Sequence, residues 1–146
     1  MLLSSLITIA AIFAPTLALP SALGLDKRQH VNTDWIVTGW TASCQKSRRT
    51  ATFSVGAPDA YISGFYGFSV RCDGIPYNAF NYSTCGNFGS YRINAKLSDG
   101  STAGATNISL IHTQIESNKV SIASGSAEVV PSSFFTVTPT DVRIGI

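Results

Sequence analysis

His30 and His112 are the only two histidines in this chain of 146 residues, and with three cysteines they bound the chemistry it can support. A metal site using both would require the start of the chain to fold back onto a later strand, so neither a metal nor any other cofactor is expected. No His-Glu-x-x-His zinc signature is present. His112 and Glu116 are spaced to share a helix face, but on a strand they lie roughly 13 Å apart along one side. An acid–base role for His112 beside Glu128 or Arg92, as in a small secreted ribonuclease, is the sharpest enzymatic alternative. The plainer expectation for His112 is a partly buried strand residue bonded to a neighbour. A serine nucleophile needs a positioned base and an oxyanion hole, and the chain has no Gly-x-Ser-x-Gly elbow. Its acidic residues are scattered, with Asp59, Asp73 and Asp99 at turn-like positions. No catalytic residues are assigned.

The cysteines, Cys44, Cys72 and Cys85, are odd in number, so at least one lacks an intrachain partner. Three pairings exist. Cys72 with Cys85 is favoured because the intervening loop is short and lets two strand ends meet. Such a ring, about 14 residues long, would stabilise the fold by roughly 3 kcal/mol in the chain-entropy model. Cys44 is then a free thiol that packs as a small apolar residue, or an interchain disulfide that makes a homodimer.

Tyr61, Tyr66, Tyr77, Phe80 and Tyr82 cluster around the Cys72 to Cys85 loop, and Tyr-rich loops on a rigid sheet form binding surfaces. A small β domain also fills its core with aromatics, so some of the five belong inside. Asn81-Tyr82-Ser83 and Asn107-Ile108-Ser109 satisfy the N-glycosylation sequon, which makes Asn81 and Asn107 the glycan candidates.

Residues 1–18 read as a secretory signal peptide. An apolar run from Leu6 to Ala14 precedes Pro15 and the small-residue end Thr16-Leu17-Ala18. That run is shorter than the ~20 apolar residues a membrane span requires, so no membrane partner is expected. Residues 19–28 read as a propeptide ending in the dibasic pair Lys27-Arg28. Cleavage there makes Gln29 the first mature residue and His30 the second, whereas copper-dependent polysaccharide monooxygenases require histidine first. The product is expected outside the cell. The formal net charge of the chain is +2, and the basic residues form no stripe, so nucleic acid is not an expected partner.

Residues 29–146 fit one domain. Trp35 to Cys44 has the aromatic and β-branched composition of a strand, with Gly39 at a bulge or bend. Thr50 to Val55 follows a polar turn, and Tyr61 to Arg71 reads as a third strand. Asp73-Gly74 and Ile75-Pro76 read as tight turns. Tyr91, Ile93, Ala95 and Leu97 alternate cleanly, and Ile108, Leu110 and His112 share a face. Val120 to Val130 and two short tail segments complete the pattern. Seven to nine short strands, with no sustained helical period, predict an all-β antiparallel barrel or sandwich.

Five segments carry a resemblance: Trp35 to Cys44, Gly64 to Cys72, Tyr82 to Gly86, Ile108 to Thr113 and Ala123 to Ala127. Together they resemble the small secreted fungal proteins of the Alternaria major allergen type. The resemblance implies a β-barrel, a disulfide using Cys72 and the cysteine of the Tyr82 to Gly86 motif, and a role as allergen, elicitor or effector rather than enzyme. This chain lacks that family's later cysteine pair. The expectation is a secreted, non-enzymatic binding protein acting on a host or cell-wall component. A ribonuclease using His112 and a structural cell-wall protein are the alternatives.

Overall fold

The computed structural model describes residues 33–145. The signal-peptide and propeptide readings, the Lys27-Arg28 pair and His30 lie outside the described residues. Within them the chain forms strands β1 (Trp35–Gln45), β2 (Arg48–Ala57), β3 (Phe68–Pro76), β4 (Ser83–Asn87), β5 (Tyr91–Asp99), β6 (Thr106–Glu116), β7 (Lys119–Val129), β8 (Phe134–Val137) and β9 (Pro139–Arg143). They build two antiparallel sheets, ordered β3-β2-β1-β8 and β4-β5-β6-β7-β9. The result is an open sandwich rather than a closed barrel, and the barrel implied by the resemblance is not formed.

The sandwich follows from period-2 alternation, which turns every second residue inward. Trp35 and Val37 of β1, Ala51, Phe53 and Val55 of β2, and Val70 and Cys72 of β3 face Ile93, Ala95 and Leu97 of β5 and Ile108 and Leu110 of β6. All of these are buried. On β1, Gly39 and Trp40 together oppose Phe53, so the strand bulges where Gly39 adopts φ 64°. The extra residue turns Trp40 inward, and its ring stacks on Phe53 with centroids 5.0 Å apart.

Both lateral edges of the sandwich are closed by the chain itself. Cys72 of β3 and Cys85 of β4 form a disulfide that ties the edge strand of one sheet to the edge strand of the other. At the opposite side β8 passes into β9 through Thr138, again from one sheet to the other. Gly125 makes room for that crossing: a Cβ there would collide with the Thr138 carbonyl oxygen.

Two stretches differ from their sequence reading. Residues 61–67 are not the start of the third strand; with residues 58–60 they form a tucked loop in which Ala60 N–H donates to Phe65 O and Phe65 N–H to Ile62 O. Asp73-Gly74 and Ile75-Pro76 are not turns but part of β3. There Asp73 and Gly74 oppose the single residue Thr52 as a bulge, and Gly74 N–H donates to Thr52 Oγ1 at 2.9 Å.

Candidate functional site

The aromatic residues proposed as one surface separate into three environments. Tyr61 is fully buried and does not belong to any surface, which corrects its assignment. The tucked loop carries it inward, and Gln114 of β6 pins that loop from both sides. Gln114 Nε2 donates to Gly64 O at 2.9 Å, and Tyr66 N–H donates to Gln114 Oε1 at 2.8 Å. Tyr61 Oη then lies 2.7 Å from His112 Nδ1. The rings of Tyr61, Phe65, Phe68 and Tyr91 surround the imidazole.

His112 is 1% exposed. Burial pushes its pKa down to about 4, and burial likewise pushes the Tyr61 phenol well above its ordinary range. Trp35, whose ring centroid lies 6.1 Å from that of Tyr61, keeps a buried Nε1 with no hydrogen-bond partner. A neutral imidazole facing a protonated phenol makes Tyr61 the donor to Nδ1 and leaves the proton of His112 on Nε2. Nε2 has no hydrogen-bond partner. The partners considered for acid–base work stand elsewhere. Ile93, directly paired with His112, points inward, so its neighbour Arg92 points out to solvent. Glu128 is paired with Asn107 and accepts hydrogen bonds from Ser101. The arrangement is a packed, hydrogen-bonded core pair.

Tyr66 is exposed at the end of the sandwich where β6 finishes, and a hydrogen bond to the Glu116 carboxylate, reinforced by its charge, raises the Tyr66 pKa. Tyr77, Phe80 and Tyr82 lie at the other end. β5 runs between these ends, with Tyr91 paired to Gln114 and Lys96 to Ser109, a separation of roughly 16 Å at strand rise.

The loop holding Phe80 is fixed on all sides. Tyr77 N–H donates to Arg49 O, and Asn78 N–H to Leu97 O at 2.8 Å. The Tyr77 hydroxyl lies 3.1 Å from Thr106 Oγ1, and the Arg49 guanidinium lies over the Tyr77 ring at 3.8 Å. Asn78 Nδ2 donates to Asp99 Oδ2 while Asp99 N–H donates back to Asn78 Oδ1. Asn78 and the Arg49 guanidinium together hold the Asp99 carboxyl below the usual carboxylate range. Lys96 Nζ, 5.9 Å from the Tyr82 ring centre, donates to Phe80 O at 3.1 Å. The disulfide closes the segment. At its tip Phe80 is 93% exposed, beside exposed Asn81 and Tyr82.

Two residues carry no signal in the sequence: Lys96, and Phe88, which is exposed but stacked on Tyr91 with centroids 4.7 Å apart. The Tyr61–His112 pair left no local signal, because its members are 51 residues apart. Cys44 is an exposed free thiol on β1, opposite Arg49, and not a buried apolar filler. Asn107 is half-buried on β6, and its Nδ2 donates to Asp99 O. Among the described residues no cluster of three or more His, Cys, Asp or Glu side chains converges as a metal site. No protein-family model, curated protein or solved structure matches this chain.

Proposed function

We propose that this chain is a secreted, non-enzymatic recognition protein that engages a host or cell-wall component through the loop bearing Phe80 and Tyr82, in the manner of an effector or elicitor. One observation carries the reading: a large apolar side chain, 93% exposed, stands on a loop held by a disulfide, an ion pair and reciprocal amide bonds. An exposed aromatic on a mobile loop loses binding energy to ordering, whereas a fixed one does not. Aromatic anchors of this kind concentrate binding energy at interfaces, and Lys96 beside Tyr82 supplies a polar rim.

Export is supported by the leader-like N-terminal sequence and by a disulfide, which persists in oxidising compartments. No helix among the described residues is long and apolar enough to cross a membrane. The enclosure of His112 weighs against the ribonuclease alternative, which relies on that imidazole.

The test adds purified protein to isolated plant and fungal cell walls and infiltrates it into leaf tissue. Saturable wall retention or tissue response that disappears in Phe80→Ala, at unchanged thermal midpoint, supports recognition through this loop. Retention that is unsaturable and indifferent to Phe80→Ala favours the structural wall role instead.

A further inference from the structure

A second surface, separate from the Phe80 loop, lies on the outer edge of β1. Strand β8 pairs with β1 only from Trp35 to Thr38, and among the described residues the last backbone hydrogen bond on that side is Gly39 N–H to Ser133 O at 3.3 Å. β1 nevertheless runs on to Gln45, held from its other side by β2 up to the pair Gln45 with Arg48. From Thr41 to Gln45 its outer edge has no strand partner among the described residues, and every side chain in that stretch is exposed. A strand edge of this kind is a row of unpaired N–H and C=O groups that accepts another extended chain.

The charge of this edge selects what it accepts. Ser43, Gln45, Lys46, Arg48 and Thr50 line a depression of about 520 Å³ on one face of the β1–β2 hairpin. Arg49 is already paired with Asp99, but Lys46 and Arg48 have no carboxylate partner among the described residues. From Trp35 to Ala57 the sequence holds no acidic residue. A second copy laid along this edge would therefore bring basic residues and no acid. We propose that the Thr41–Gln45 edge binds an extended acidic polypeptide segment as an added strand, with alternate carboxylates turned toward Lys46 and Arg48. An anionic polysaccharide would satisfy the charges but not the backbone row.

Hydrogen exchange of residues 41–45 in the full secreted protein reads this directly. The probes are an alternating Glu–Val octapeptide, its Lys–Val counterpart and polygalacturonate. The Glu–Val peptide should slow exchange at the edge, and the double substitution K46E/R48E should weaken that binding by about tenfold or more, as loss of two charge-assisted contacts requires. Cys44→Ser should leave it unchanged. The proposal is overturned if the edge amides are already protected in the free protein, or if the Lys–Val peptide protects them equally. It is equally overturned if polygalacturonate binds through Lys46 and Arg48 while the peptide does not, or if protection tracks protein concentration or a Cys44-linked dimer.

Discussion

The hydroxyl of Tyr61 and Nδ1 of His112 meet at 2.7 Å inside a ring of aromatic side chains, joining the tucked loop of one sheet to the central strand of the other. The only histidine among the described residues is thereby a structural group.

This burial gives the fold a defined acid limit. The unfolded chain takes up a proton on His112 near pH 6.5, while the folded chain resists until about pH 4. Stability therefore falls as pH drops through that interval, by on the order of 3 kcal/mol once both limits are passed. Urea midpoints at pH 7 and pH 4.5 should show the loss in the natural protein. His112→Phe should flatten it, at a constant cost of about 1–3 kcal/mol for the unpaired Tyr61 hydroxyl. An equal pH slope in both proteins would assign the acid sensitivity to other groups.

The disulfide joins two sheets rather than two neighbours in one sheet, so its loss should loosen the whole β3–β4 edge. The double substitution Cys72→Ala with Cys85→Ala should lower stability by about 3 kcal/mol, the scale set by the length of the closed ring. Exchange protection should drop first in β4, which pairs only with β5 within its sheet. A uniform loss across β6 and β7 would contradict this placement.

At the opposite edge, Gly125→Ala puts a methyl against the Thr138 carbonyl and the Pro139 Cα, both backbone positions. Overpacking of this kind costs about 1–3 kcal/mol. Thermal melts of this variant beside Gly39→Ala separate sterics from backbone conformation. The Gly39 site is open but left-handed, so the cost there, about 1–2 kcal/mol, comes from the backbone alone. A Gly125→Ala variant as stable as the natural protein would mean that the β8–β9 crossing is not close-packed.

The two sequons also separate. Asn81 presents an exposed side chain at a loop tip, whereas the Asn107 amide is tied to Asp99 O on a half-buried strand position. When the protein is expressed through a secretory host, glycan should be removed by Asn81→Gln and retained in Asn107→Gln, as read by mass before and after N-glycosidase. A glycan lost only in the Asn107 variant would reverse this order.

Much of the frame was legible because alternation is a local signal. Tyr91 to Leu97 and Ile108 to His112 show their inward faces directly, and Gly39 marked a bulge. The same rule misled at Tyr61 to Gly67, where Gly and aromatic residues alternate without a strand, because the loop's geometry is imposed by Gln114 from a distant strand. Asp73-Gly74 looked like a turn because a bulge and a turn demand the same left-handed glycine. β4 was hidden inside the cysteine loop, since Ser83 to Asn87 carries little apolar pattern. The division of the aromatics between core and surface depends on that loop and was beyond the reach of spacing alone.

The most direct measurement compares Phe80→Ala with His112→Phe, both verified as folded, for retention on cell walls and response in leaf tissue. A recognition protein predicts that Phe80→Ala loses the response and His112→Phe keeps it. Loss with His112→Phe and full activity in Phe80→Ala would contradict the account.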